Sequence, residues 1–175
     1  MRGRKHTPNK YRIEGDCAYL ELTNTHGEVV GEACIDVADL GGVLAVGRWS
    51  RHQNGYARTE QAHKFVLMHR LLLNPDDSEE VDHKNRNRLD NRRENLRRCT
   101  PSQNRQNRQG ATKVSVSGVR GIFWYPRLKK WRVRVQVNGQ RHNVGCFSTV
   151  EEAEAAAIAA RRRLMPFSQV DIDAA

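Results

Sequence analysis

VDHKNRNRLDNRRENLRRCTPSQNRQNR, residues 81–108, is the stretch on which the reading of this chain turns. Val81-Asp82-His83 has the pattern of a strand end, and Asn95-Leu96-Arg97-Arg98-Cys99 reads as a second strand after a polar loop. Thr100-Pro101-Ser102-Gln103 then carries three agreeing helix-start signals: a capping threonine, proline at the first helical position and a glutamine that closes a capping box. Helical spacing places Asn104, Asn107 and Arg108 on one face. The order is strand, loop, strand, helix, with an Asp-His pair at one edge and asparagines on the helix.

These residue types suit phosphodiester hydrolysis, which needs a base to activate water and a cation to stabilise developing charge. Histidine accepts a proton near neutral pH, so His83 is the candidate base. A hard divalent ion prefers oxygen ligands and often takes only one or two from protein, a set that Asp82 and the carboxamide of Asn104 would supply. Neighbouring side chains on a strand alternate, so Asp82 and His83 require a local twist to face one phosphate.

The stretch MHRLLLNPDDSEEVDHKNRNRLDNRRENLRRCTPSQNRQN resembles HNH (ββα-metal) endonucleases of the phage and intron homing type, over about residues 65–108. The marks are Met68-His69-Arg70, Val81-Asp82-His83, Asp90-Asn91, Glu94-Asn95-Leu96, Cys99-Thr100 and Asn104. By position, the resemblance implies His83 as general base, Asp82 and Asn104 as ligands of a single divalent metal, and Asn95 as the residue that fixes the loop and orients His83. Mg²⁺ is the expected ion, with Mn²⁺ an alternative. The loop that usually carries Asp-Gly reads Lys84-Asn85-Arg86-Asn87 here, and the paired cysteines of the zinc-bound subclass are absent. The implied products carry a 5′-phosphate and a 3′-hydroxyl. One site per chain cuts one strand at a time, so a monomer should nick and a homodimer should break both strands.

Downstream, Gly121 to Tyr125, Trp131 to Val137 and Arg141 to Phe147 read as three strands, with Asn138-Gly139 a strong hairpin turn. A helix follows, capped by Ser148 or Thr149 with Glu151 and Glu152, rich in alanine, and stopped by Pro166. Period two puts Trp131, Val133, Val135 and Val137 against that helix and Arg132, Arg134 and Gln136 outward, continued by Arg141 and Asn143. Such a face can bond guanine and adenine edges in the major groove. SGVRGIFWYPRLKKWRVRVQVNGQRHNVGCFSTVEEAEAAAIAARRRL resembles the AP2/ERF DNA-binding domain through Arg120-Gly121, the Trp131 strand, Val144-Gly145 with Phe147, and Thr149 with Glu151-Glu152-Ala153. The resemblance implicates Arg120, Arg134, Gln136, Arg141 and Asn143 in facing DNA, and the strand pattern adds Arg132. Phe123 and Tyr125 stand where plant domains tend to carry arginine.

Composition agrees with a polyanionic partner. Lys and Arg number 30 against 20 Asp and Glu, a formal charge of +10, and cations placed on phosphates release condensed counterions. Hydrophobic residues at 38% and aromatics at 6% favour small modules over one large core. No apolar run approaches the roughly 18 residues of a spanning helix. The start, Met1-Arg2-Gly3-Arg4-Lys5, leads into polar sequence. Charge alone does not separate DNA from RNA or anionic lipid; the two resemblances imply double-stranded DNA as the partner, and no membrane is expected. Cys17, Cys34, Cys99 and Cys146 form no CxxC pair, which fits a reducing interior; the resemblance to homing endonucleases implies the cytoplasm of a bacterial host.

The expected fold class is α+β: a basic arm at 1–10, a small β-rich region at 11–60, the nuclease core with a preceding helix at 61–108, a linker at 109–117, the AP2-like sheet and helix at 118–165, and a tail at 166–175. Gln61 to Leu73 reads as that preceding helix, from Phe65, Met68, His69 and Leu72. Two other functions compete: a catalytically inactive, AP2-like sequence-specific regulator, which the complete Asp82, His83, Asn95, Asn104 set disfavours, and an RNA-binding or structural phage protein.

Overall fold

Alternation at Ala18-Tyr19-Leu20-Glu21-Leu22 builds the first sheet of the computed structural model, which describes residues 7–108 and 115–168. The fold is α+β, and the chain divides after Cys99 into two compact units.

In the first unit, β1 (Tyr11–Glu14) and β3 (Val29–Asp36) flank β2 (Cys17–Thr23) in antiparallel register. A 3₁₀ turn (Val37–Asp39) and α1 (Leu40–Val46) follow, then β4 (Ser50–Arg51), β5 (Ala57–Gln61) and β6 (Lys64–Leu67), which extend the sheet in the order β1-β2-β4-β5-β6. Next come α2 (Met68–Leu73) and a hairpin of β7 (Glu80–His83) with β8 (Leu96–Cys99). Period two sends Ala18, Leu20, Leu22, Ala33 and Ile35 inward, where they meet Trp49, Met68, Val81 and Leu96 in one core. The β-rich region and the Asp-His hairpin thus share a hydrophobic interior.

Two expectations for this unit need correction. Residues 61–73 are not one helix: Ala62 and His63 take φ of 47° and 62°, a tight left-handed turn, and Phe65-Val66-Leu67 pair back onto Glu60, Thr59 and Arg58. Phe65 is exposed, with the Arg58 guanidinium over its ring, so the helical spacing of Phe65 with Met68 was accidental. The preceding helix shrinks to α2. Residues 7–10 are likewise not a loose arm. Buried Asn9 donates through Nδ2 to the carbonyls of Glu21 (2.7 Å) and Trp49 (2.8 Å), and its Oδ1 accepts from the Trp49 amide (2.7 Å). The rest of the expected arm, residues 1–6, lies outside the described residues, as do 109–114 of the linker and 169–175 of the tail.

The second unit opens with α3 (Pro101–Gln106), whose Thr100 and Gln103 close the expected capping box. This helix ends before Asn107 and Arg108, so those two residues do not share a helical face with Asn104 as expected; Asn107 is the C-cap, at φ −76° and ψ 3°. A three-stranded antiparallel sheet follows in the order β11-β10-β9, from β9 (Ile122–Tyr125), β10 (Lys130–Val137) and β11 (Gln140–Phe147). Asn138 and Gly139, at φ 49° and 81°, form the hairpin turn. The helix α4 (Val150–Leu164), capped by Thr149 and Glu152, packs Ala153 and Ala157 on Ile122 and Val133, and Ala160 on Val135. Alanines on that face permit close approach of helix to sheet. Gly121 is demanded by contact as well as by its φ of 86°, because a Cβ there would lie 2.7 Å from the Arg134 carbonyl oxygen.

Candidate functional site

The Asp-His pair sits at the end of β7, opposite Arg97 and Leu96 of β8 respectively. Alternation sends the two side chains to different neighbours. Asp82 is buried and receives Arg97 on one carboxylate oxygen, Oδ2, from Nε (2.9 Å) and Nη2 (2.6 Å). His83 is also buried and enters an aromatic group: its ring centroid lies 5.1 Å from that of His69, edge-on, and 5.9 Å from that of Tyr56. The Tyr56 ring in turn lies 4.9 Å from His69 and beneath the Arg88 guanidinium.

Asn91 is the polar partner of His83, with Oδ1 3.3 Å from Nε2. Burial is the main influence on the imidazole and lowers its pKa below the ordinary histidine value, although Asn91 and the charges of Asp82 and Asp90 work against it. His83 is thereby kept neutral. His69, more strongly affected by burial and by its neighbours His83 and Arg70, is pushed down to about 3. Its Nδ1 is buried without a partner among the described residues.

The loop between β7 and β8 owes its shape to three residues. Asn95, buried, donates through Nδ2 to the Asp90 carbonyl (2.7 Å) and accepts at Oδ1 from the Asn85 amide (2.9 Å). Asp90 accepts from Arg92 Nε and Nη2, both at 2.8 Å, and from Asn85 Nδ2 at 2.8 Å. Burial alone would raise the Asp90 pKa, but the Arg92 and Asn85 hydrogen bonds outweigh it and hold the carboxyl below its usual range. The loop is also stitched to β3, since the Cys34 amide donates to the Leu89 carbonyl and the Asn91 amide to the Cys34 carbonyl. Arg93 completes the attachment by a two-pronged pair with Asp39.

Asn95 therefore fixes the loop, and the direct contact with His83 belongs to Asn91. In the sequence Asn91 stands within the loop motif with no assigned role, and Tyr56 and Arg97 carry none either. Asn91 was legible as a polar residue within a loop motif, whereas Tyr56 comes from a distant turn and gave no signal. Arg70 donates through Nη1 to the Glu79 carbonyl. Among the described residues no group of three or more His, Cys, Asp or Glu could hold a metal ion, so a protein cage of the zinc type is not built. The Asp82 carboxylate is an oxygen donor of the kind a hard divalent ion prefers. Asn104 is half-buried on α3, in the second unit.

In that unit the register places Arg134 opposite Asn143 and Gln136 opposite Arg141. These four side chains share the face turned away from α4, and Arg132 joins them by alternation, its guanidinium over the Tyr125 ring. A cavity of about 350 Å³ opens beside them, lined by Arg120, Phe123, Arg134, Gln136, Arg141 and Arg161 among others, with no carboxylate. The Arg120 guanidinium donates to main-chain carbonyls of α3 and of Arg108.

Comparison with known families gives two matches, an HNH endonuclease model over residues 74–106 and an AP2 domain model over residues 117–165. No curated protein and no solved structure matches the chain. Among the described residues no helix is long and apolar enough to cross a membrane. HNH nucleases generally use a divalent metal, and both domains imply DNA binding. The chain is thus similar to an HNH endonuclease over residues 74–106 and to an AP2 domain over residues 117–165, a combination that supports a DNA nuclease with a DNA-binding part.

Proposed function

We propose that this protein is a homing-type DNA endonuclease that hydrolyses phosphodiester bonds with His83 as general base and one divalent metal, directed by the AP2 sheet. One observation carries the reading: a buried, neutral His83 whose Nε2 is held by Asn91, next in sequence to a carboxylate. Its imidazole is the proton acceptor for the attacking water. Asn95 and Asp90 keep the loop closed around it. Asp82 and Asn104 would hold the ion, with Arg97 fixing the carboxylate of Asp82. A bound Mg²⁺ or Mn²⁺ would supply charge stabilisation to the phosphorane and the leaving 3′ oxygen. The protein would act on double-stranded DNA in the cytoplasm of a bacterial cell, nicking as a monomer or breaking both strands as a homodimer.

Incubation with supercoiled DNA tests this. Relaxed or linear product should form with Mg²⁺ and disappear with EDTA; intact plasmid over a range of DNA sequences and divalent ions would remove the nuclease reading. A second reading has its own support, because Arg97 already neutralises the carboxylate a metal would use. An inactive, AP2-type DNA-binding regulator would bind DNA and leave it whole.

On the reader, Arg134→Ala or Arg141→Ala should weaken specific binding by about 1–3 kcal/mol, the value of a bidentate base contact. Titration of labelled target DNA at fixed salt measures it. An unchanged dissociation constant would place both residues away from the bases.

A further inference from the structure

The helix α3 is only six residues long, too short to hold its shape alone, and its last carbonyls have no partners within the helix. Its N-terminus is secured by its own capping box. Its C-terminus is secured by Arg120, which comes from the AP2 domain: Nη1 donates to the carbonyls of Gln106 (2.9 Å) and Arg108 (2.8 Å), and Nη2 to that of Arg105 (3.2 Å). A planar guanidinium with five donors in a fixed fork suits such a cluster of carbonyls, which also sits at the negative end of the helix. Arg120 is itself held, since Arg161 in the last turn of α4, buried, donates through Nη1 to the Arg120 carbonyl (2.8 Å). Two more bonds tie the helix to the same unit. Ser102 Oγ donates to Asn138 Oδ1 in the β10–β11 turn (2.9 Å), and Gln106 Oε1 accepts from the Phe167 amide (3.3 Å).

From this we infer that Arg120 is a positioning residue that locks the final helix of the HNH motif onto the AP2 domain, so that the DNA reader itself holds Asn104 in place. The consequence for Arg120 is that its guanidinium serves α3 and does not read DNA. The consequence for the enzyme is that the AP2 domain is structurally part of the nuclease motif and more than a tethered address. The role given to Asn104 rests on the nuclease reading above, whereas the clamp itself does not.

The test uses the full chain with Arg120→Ala and Arg120→Lys. Hydrogen exchange followed by mass spectrometry should show faster exchange at the amides of Asn107 and Arg108, which donate back to Asn104 and Arg105, while β10 and β11 stay protected and so report an intact fold. Cleavage of saturating DNA should fall by about 10²-fold, as a small misplacement of a reacting group can cause, with the dissociation constant for DNA unchanged. Lysine keeps the charge but loses the fork, so it should behave as alanine does. Unchanged exchange in α3 together with weaker DNA binding that lysine restores would overturn the proposal and make Arg120 a phosphate contact. Should the wild-type chain not cleave DNA at all, the nuclease reading fails by itself, and the exchange measurement still decides the clamp.

Discussion

His83→Ala should lower DNA cleavage by about 10²–10⁴-fold, the usual contribution of a positioned general base, and leave DNA affinity nearly unchanged. The side chain is buried, so solvent cannot simply take its place, and its Nε2 is committed to Asn91. Burial lowers the pKa of the imidazole and so favours its proton-accepting form. Affinity should survive because the arginine-rich sheet face lies in the other compact unit. Single-turnover cleavage at saturating DNA, paired with a binding titration, separates the two effects. Cleavage at a comparable rate by the variant would remove His83 from the base role, and a parallel loss of binding would make it a structural residue.

Asp90→Ala should destabilise the protein by about 3 kcal/mol, since removing one partner of a buried ion pair leaves the other uncompensated. The figure stays at the lower end of such effects because the Arg92 side chain is 32% exposed and water can reach it. The Asp90 carboxylate also accepts from Asn85, and its main-chain carbonyl receives Asn95, so loss of the side chain loosens the loop that delivers Asn91 to His83. Its folded pKa is below the ordinary aspartate value. Its contribution is therefore complete above about pH 4 and lost as pH falls through the depressed value. Urea denaturation at neutral and acid pH measures both features. Equal stability of variant and wild type at neutral pH would show that the Asp90 network does not hold the loop.

Local chemistry was legible where a few adjacent residues settle the outcome. Thr100-Pro101-Ser102-Gln103 and Thr149 with Glu152 announced two helix starts, and both capping boxes are present. Asn138-Gly139 announced a hairpin, because these residues tolerate the positive φ its turn requires. Residues 61–67 misled for a related reason. Phe65, Met68 and Leu72 fit a helical face, but Ala62 and His63 are not residues that advertise a left-handed turn, and the pairing of Phe65 with Glu60 decides the matter. Arg120, which the AP2 resemblance sets among the DNA-facing residues, has as neighbours the main-chain carbonyls of α3, a contact that no local pattern announces.

The sequence alone determined the α+β class of this protein and its resemblance to an HNH and an AP2 domain, because motif spacing, capping pairs and strand alternation are properties of neighbouring positions. Tertiary structure alone decided who stands beside His83. Tyr56 and His69 arrive from separate elements, and Asn91 is set by a main-chain bond to Cys34 on β3. It also decided that the β-rich N-terminal region is the scaffold of that loop and that Arg120 caps α3. Such contacts join residues far apart in the chain, and they form only when a shared core brings their elements together.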